Sequence, residues 1–186
     1  MSVIFLAGVH GVGKGYLGAP VAATLEMVHH TASRLIREEK GHATWGDRKL
    51  VADIEDNQLA LIHAVDRRRK SESHILLDGH FVLRSTAGDF VKLAADVFSS
   101  LRLSGVILLC DSPELIANRL FDRDGYKTAP DEIAELAAEE AKHAHDVCSA
   151  LGIPLIVIES PDEALLRDAI KRLLNAAAPI HLLSSM

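Results

Sequence analysis

The sequence predicts a single α/β domain, with a five-stranded parallel sheet between two layers of helices, and three observations lead to this prediction. The chain has 186 residues, which suffice for one domain with a core but not for two ordinary domains. Apolar residues make up 48% of the chain and aromatic residues 4%, an aliphatic composition typical of globular proteins. Short apolar runs also alternate with segments of helical periodicity, which is the pattern of βαβ units.

Five apolar runs are the predicted strands. They occupy residues 3–7, 26–29, 75–77, 106–110 and 155–158. Each run is short and continuous rather than alternating with polar residues, as expected of strands that helices cover on both faces.

Three segments carry helix signals. Residues 47–69 have apolar residues at helical spacing and end in a basic run, and residues 131–151 are followed by a terminating Gly152. Ser160 begins a capping box, Ser-Pro-Asp-Glu, that opens the last helix. We therefore expect one domain over residues 1–178 and a C-terminal tail over residues 179–186.

Composition also excludes several classes of function. The formal net charge of -6 makes binding to nucleic acid unfavourable, because phosphate contacts need a surplus of Lys and Arg. The two cysteines, Cys110 and Cys148, lie in apolar or helical stretches and are interpreted as reduced packing residues. The apolar start is too short for a signal sequence and no run is long enough to span a membrane, so the predicted location is the cytoplasm.

A phosphate-binding loop follows the first predicted strand. The segment from Gly8 to Lys14 fits G-x-x-x-x-G-K in the strand-to-helix context that this motif requires. Glycines let the backbone N–H groups point inward, and the following helix N-terminus adds partial positive charge, so the loop favours a nucleotide phosphate. Lys14 would bridge the β- and γ-phosphates, whereas in an ordinary glycine-rich turn it would be an exposed lysine. The residues expected to contact the nucleotide are Gly8, His10, Gly11, Val12, Gly13, Lys14, Gly15 and Tyr16.

The loop departs from its motif at one position. Gly15 stands where a Ser or Thr hydroxyl normally reaches Mg²⁺, and Tyr16 supplies no second hydroxyl of similar reach. A magnesium ion must then be held by the nucleotide, by waters and by a carboxylate. Asp78 is the candidate carboxylate, because it closes an apolar run and would lie at the end of a strand beside the loop.

Three further segments give the chain a family resemblance. They are Thr31-Ala-Ser-Arg-Leu-Ile-Arg37, Leu77-Asp-Gly-His80 and Arg119-Leu-Phe-Asp-Arg-Asp-Gly-Tyr126. With the phosphate loop, their order and spacing resemble the adenylate kinase-like nucleoside monophosphate kinases, closest to the small archaeal-type branch and its eukaryotic relative that doubles as an ATPase. The resemblance implies a three-layer P-loop domain that transfers the γ-phosphoryl group of ATP, with Mg²⁺, to a nucleoside monophosphate or related small acceptor.

The resemblance also implies an acceptor site in an insert over residues 31–70. Thr31 and Arg37 match a hydroxyl residue and an arginine that contact the acceptor phosphate, although Ser33 and Arg34 replace the usual Gly-Asp between them. The alternative is an ordinary helix start, with Thr31 as its cap and Arg37 solvated.

The remaining implied residues concern catalysis. Asp78 would hold Mg²⁺ through a water molecule, and His80 would orient the transferring group or an attacking water, or else simply hydrogen-bond beneath the loop. Arg119 and Arg123 lie four residues apart on one helix face and would begin a short lid, over residues 119–130, that folds over the phosphates. A pair of surface salt bridges is the alternative for these two arginines.

Two other functions stay open at this point. Gly15 and the altered acceptor segment favour an ATPase or nucleotide-controlled switch. A regulatory module that keeps its nucleotide and acts through a protein partner is the second alternative. The sequence does not distinguish ATP from GTP and does not identify the acceptor.

Overall fold

Five parallel strands form the central sheet of the computed structural model, which describes residues 1–41, 54–85, 87–125 and 127–177. The strands in chain order are β1 (Ser2–Ala7), β2 (Val28–Thr31), β3 (His74–Asp78), β4 (Val82–Arg84), β5 (Phe90–Lys92), β6 (Gly105–Cys110) and β7 (Leu155–Glu159). The sheet has the order β2-β3-β1-β6-β7, and β4 and β5 form a separate antiparallel hairpin. All five predicted strands are therefore confirmed.

Strand β1 lies at the centre of the sheet and positions the site. It pairs in parallel with β3, where Leu6 is opposite Asp78, and with β6, where Ala7 is opposite Leu108. Because parallel strands all end at one edge, the loop after β1 and the carboxylate that ends β3 come together there.

Helices cover both faces of the sheet. They are α1 (Lys14–Thr24), α2 (Ala32–Lys40), α3 (Ile54–Arg68), α4 (Ala95–Ser100), α5 (Pro113–Asp124), α6 (Pro130–Leu151) and α7 (Glu163–Ala177). Successive residues of β1 point to opposite faces, so Phe5 packs in one buried cluster with Val147 of α6, and Leu6 in another with Ile170 of α7. This arrangement confirms the three-layer α/β/α prediction. None of the helices in the described ranges is long and apolar enough to cross a membrane.

Two element boundaries differ from the prediction. Strand β2 begins at Val28 instead of residue 26, because the end of α1 continues through Met27, whose N–H donates to the carbonyl of Ala22 at 2.9 Å. Helix α7 is capped by Asp162, which accepts from the N–H of Leu165 at 2.8 Å, and not by Ser160, which has a φ of 47°. Residues 47–53 of the helix predicted over residues 47–69, and the predicted tail over residues 179–186, lie outside the described residues.

The hairpin β4–β5 and the short helix α4 were not predicted. Both are held by aromatic packing, because Phe81 stacks on Phe98 with ring centroids 4.2 Å apart and Phe5 packs edge-on against Phe81 at 5.4 Å. Residues of the hairpin line the same cavity as the phosphate loop.

Two adjacent leucines on α7 provide a test of this packing. Leu166 is fully buried, whereas Leu165 is 47% exposed. Leu166→Ala is expected to lower the free energy of unfolding by about 2–5 kcal/mol, because it removes buried methyl groups and leaves a cavity. Leu165→Ala, the matched control, is expected to cost about 0.5 kcal/mol or less. Urea denaturation measures both, and equal losses would contradict the assignment of the buried face.

Candidate nucleotide-binding site

The phosphate loop has the backbone of an anion-binding nest. Gly8, Gly11 and Gly13 have φ values of 134°, 82° and 108°, which side chains of L-residues disfavour. A Cβ at Gly8 would also lie 2.6 Å from the carbonyl oxygen of Leu109. Gly13 is the N-cap of α1, so the loop leads directly into a helix N-terminus, where the helix dipole favours phosphate.

Lys14 lies inside this loop and is only 6% exposed. Its Nζ donates to the carbonyls of Gly8 at 2.5 Å and Val9 at 3.1 Å, and lies 4.0 Å from Oδ1 of Asp78. Burial lowers the pKa of Lys14, while the nearby carboxylates of Asp78 and Glu140 raise it. Lys14 is therefore a buried loop residue, not the exposed lysine of an ordinary glycine turn.

Asp78 ends β3 on the other side of Lys14. Burial raises its pKa to about 6, and the charge of Lys14 acts in the opposite direction. Its Oδ2 lies 3.8 Å from Nε2 of His29. The carboxylate is thus enclosed, with a lysine facing one oxygen and an imidazole facing the other.

The residues around Asp78 fit a magnesium ion that arrives with a nucleotide. Among the described residues, no group of three or more His, Cys, Asp or Glu side chains converges to hold a metal on its own. Magnesium usually keeps several waters and takes one or two carboxylates together with phosphates, which one carboxylate beside a phosphate loop satisfies. A Cβ at Gly15 would lie 3.9 Å from Oδ2 of Asp78, an ordinary contact, so the position has room for the hydroxyl that the motif normally supplies.

Glu140 of α6 is a site residue that the sequence analysis missed. It is 1% exposed, and its carboxylate accepts hydrogen bonds from the backbone N–H groups of Gly8 at 3.3 Å, Phe81 at 2.9 Å and Val82 at 2.6 Å. Burial raises the pKa of Glu140, and these hydrogen bonds lower it. The one signal in the sequence was a glutamate in phase with Ile133, Ala137 and Ala144 on the apolar face of a helix.

Two histidines lie together above this carboxylate. The rings of His10 and His80 have centroids 4.2 Å apart, and His80 hydrogen-bonds the backbone of Gly8 and lies 4.0 Å from Glu140. Burial lowers the pKa of His80 well below its ordinary value, and nearby Lys14 lowers it further. Desolvation and the charges of Lys14 and Arg123 lower the pKa of His10 as well. Both rings are therefore neutral at pH 7.

The two predicted lid arginines lie on α5, at the mouth of the site. Nη1 of Arg119 is 2.9 Å from Oδ2 of Asp111 and donates to the carbonyl of Val12 at 3.4 Å. Arg123 makes a two-point ion pair with Asp124, at 2.7 and 2.6 Å. Each arginine thus has a carboxylate partner, as in the salt-bridge alternative, and both line the same cavity as the phosphate loop.

A cavity of about 1130 Å³ runs from the phosphate loop into the protein. Its mouth carries Tyr16, which is 82% exposed, and its inner part, here called the inner chamber, lies beyond Asp78 between α2, α3, α4 and the hairpin. The inner chamber is lined by Thr31, Ser33, Ile36, Asn57, Gln58, Leu61, Leu83, Arg84, Val91 and Phe98.

The predicted site residues meet at this cavity with two exceptions, Gly8 and Arg37. Lys14, Asp78, His80 and the two arginines line it, as do most residues of the loop. Thr31 lines the inner chamber and also caps α2, because its hydroxyl accepts from the N–H of Arg34 at 3.3 Å. Arg37 is exposed on α2 and does not belong to the described lining.

Comparisons with known proteins identify the family and the fold. A family model described as an AAA domain matches residues 7–137, most of the chain, and the protein therefore belongs to this family of P-loop proteins. No curated protein matches the sequence significantly. The broader prediction of a P-loop kinase fold is confirmed, and the comparisons do not single out adenylate kinases or their archaeal-type branch.

Solved structures of small-molecule kinases share the fold over nearly the whole chain. A gluconokinase from Sinorhizobium meliloti 1021 has 17% identity and a TM-score of 0.57, covering 95% of this chain and 93% of its own. A shikimate kinase from Acinetobacter baumannii in complex with shikimate has 16% identity and a TM-score of 0.59, covering 95% and 94%. A shikimate kinase from Bacteroides thetaiotaomicron has 17% identity and a TM-score of 0.57, covering 94% and 97%.

The raised pKa of Asp78 predicts how stability depends on pH. In the folded protein without nucleotide, Asp78 keeps its proton up to about pH 6, whereas the unfolded chain releases it near 3.8. The contribution of Asp78 to the free energy of unfolding should therefore fall by up to about 3 kcal/mol as the pH rises from about 4 to above 6, whereas the lowered pKa values of His10 and His80 act in the opposite direction. Asp78→Asn should lack this decrease. Urea denaturation of both proteins across this pH range tests it, and parallel pH profiles would refute it.

Glu140→Gln tests the carboxylate that joins the phosphate loop to Phe81 and Val82. The amide keeps the size of the side chain but replaces one acceptor oxygen by an NH₂ group, which leaves at least one buried N–H without a partner. We expect a loss of about 1–3 kcal/mol in stability and weaker ATP binding, because the loop start at Gly8 loses its support. Glu135→Gln, on the exposed face of the same helix, is the control. Denaturation and calorimetric titration with ATP measure the two effects; unchanged ATP affinity would contradict a role in the loop.

Proposed function

We propose that this protein transfers the γ-phosphoryl group of ATP to a small acceptor bound in the inner chamber. One observation carries the proposal: the buried Lys14 and Asp78, 4.0 Å apart, lie where the phosphate loop meets a cavity that continues into the protein. A loop that served only to hold a nucleotide would not need a second compartment behind its phosphates. The shared fold with gluconokinase and shikimate kinase supports the same class of reaction.

The chemistry asks mainly for positioning and for neutralisation of charge. An acceptor oxygen forms a bond to the γ-phosphorus while the bond from that phosphorus to the bridging oxygen of ADP breaks. Lys14 stabilises the phosphate oxygens, and Arg119 and Arg123 add positive charge after they exchange their carboxylate partners for phosphate. Asp78 would hold a bound Mg²⁺ through water, and the metal would supply further charge neutralisation. Neutral His80 orients the transferring group by hydrogen bonding.

The acceptor that we propose first is a nucleoside monophosphate. Asn57 and Gln58 offer amide groups suited to the edge of a base, and apolar side chains such as Ile36 and Leu83 suit its faces. Thr31 and Arg37 are the residues proposed for the acceptor phosphate, and of these only Thr31 lies on the cavity. Because Arg37 lies outside the described lining, hydroxyl acceptors such as gluconate and shikimate belong in the same test. With a hydroxyl acceptor, the leaving proton would pass to Asp78.

Hydrolysis of ATP is the second candidate function. Gly15 lacks the metal-contacting hydroxyl of the motif, and Arg37 lies outside the described lining. Both observations favour water as the acceptor when no organic acceptor occupies the inner chamber. A regulatory role through a protein partner would instead retain the nucleotide without turnover. We place each of these activities in the cytoplasm, since the two free thiols, Cys110 and Cys148, suit a reducing compartment.

The direct test uses γ-labelled ATP and Mg²⁺ with a panel of nucleoside monophosphates, gluconate and shikimate. Labelled phosphorylated acceptor is expected, and Lys14→Ala should lower its rate at least about 100-fold, because the lysine stabilises charge in the transition state. Lys171→Ala, at an exposed lysine of α7 outside the cavity lining, is the matched control and should keep the rate.

The other outcomes separate the rival functions. Labelled inorganic phosphate without labelled acceptor would favour the ATPase. Tight binding of ATP without any product would favour the regulatory module, and absence of ATP binding would overturn the site altogether.

A further inference from the structure

His29, which neither the motifs nor the proposed mechanism uses, lies against the candidate metal site. Its neighbour His30 has two partners, Glu72 at 2.8 Å and Arg34 at 2.9 Å. In contrast, Nε2 of His29 is buried and has no hydrogen-bond partner within the described part of the chain. The nearest acidic oxygen is Oδ2 of Asp78, at 3.8 Å. A buried polar atom without a partner is costly, so its orientation toward Asp78 needs an explanation.

Helix α1 leaves space for this histidine. Gly15 and Gly18 lie three residues apart on the same face of the helix. A Cβ at Gly18 would come within 3.2 Å of Nε2 of His29, and a Cβ at Gly15 within 3.9 Å of Oδ2 of Asp78. The two glycines therefore bound a small polar recess with His29 and Asp78, directly beside the loop lysine.

We propose that His29 takes the place of the missing loop hydroxyl, by holding, together with Asp78, a water molecule of the magnesium shell. The distance of 3.8 Å is too long for a direct hydrogen bond between the two side chains, but both can bond one water at about 2.8 Å. His29 is thus a positioning residue that acts on the metal through water: the metal-bound water donates one hydrogen to Nε2 and the other to Oδ2. This role rests on the nucleotide site of the proposed function.

The proposal also accounts for two unusual features of the loop. Gly15 can replace Ser or Thr because an imidazole from β2 reaches the same region from the other side. Gly18, which weakens α1 by propensity, leaves room for His29, since a Cβ there would lie 3.1 Å from Cδ2 of Leu6 and 3.2 Å from Nε2 of His29. A purely structural His29 would instead affect stability and leave the affinity for metal unchanged.

Metal binding, without any catalytic turnover, tests the role of His29. Mn²⁺ is titrated into the protein with saturating ADP, and free Mn²⁺ is measured by electron paramagnetic resonance. His29→Phe should weaken Mn²⁺ binding about 10-fold or more, which is typical of residues that support a metal through its ligands. His29→Gln should stay within about 3-fold of the wild-type protein, because its amide oxygen keeps an acceptor near the position of Nε2. His145→Phe, at a side chain that is 76% exposed, is the control.

A second substitution tests the link with Gly15. Adding Gly15→Ser to the His29→Phe protein should recover most of the lost Mn²⁺ affinity, because the hydroxyl returns to its usual place. Thermal melting without metal checks that each variant folds, and His29→Leu, which is smaller, replaces His29→Phe if the latter does not fold.

The outcomes separate this inference from the proposed function. Unchanged Mn²⁺ affinity in His29→Phe, or equal losses in the Phe and Gln variants, would overturn the role of His29 while the nucleotide site stands. A wild-type protein that binds neither ADP nor Mn²⁺–ADP would overturn the proposed function and this inference together.

Discussion

Three backbone N–H groups from two separate loops converge on the single buried carboxylate of Glu140. One of them begins the phosphate loop, and the other two belong to the connection between β3 and the hairpin. Hydrogen bonds to a charged acceptor are strong in a buried setting. This contact therefore fixes the distance between the phosphate loop and the hairpin that lines the inner chamber. The positions of Lys14, Asp78 and His80 all depend on it, since each lies on or beside one of the two loops.

The ionisable groups of the site differ in the protonation state that their surroundings favour. Lowered pKa values keep His10 and His80 neutral, and burial favours the protonated form of Asp78, whereas Lys14 is held by two carbonyl oxygens of its own loop. Binding of a metal and a polyphosphate would bring charges that reverse the preference of Asp78. The site therefore has polar groups already in place around the position where charge develops, with little rearrangement required of them.

The sheet and the phosphate loop could be predicted because their signals are local. A continuous apolar run predicts a buried strand. The glycine spacing before Lys14, between a strand and a helix, predicts a phosphate-binding loop. The hairpin could not be predicted, because its strands have three residues each, too few for a repeating pattern. Glu140 was missed for a different reason: its partners lie 132 and 59 residues away along the chain. Arg37 was assigned by resemblance, and in the structure it lies on the exposed side of α2, while Thr31 of the same segment lies on the cavity.

Both arginines at the cavity mouth have carboxylate partners, which bears on how quickly a nucleotide arrives. Asp111 and Asp124 cancel much of the positive field that Arg119 and Arg123 would otherwise project into solvent. The whole chain adds a net charge of -6, so long-range attraction for a polyphosphate is weak. Association should then resemble an unsteered encounter and change little with ionic strength. Selection of the nucleotide would follow entry, when phosphate competes with the two aspartates for the same guanidinium groups.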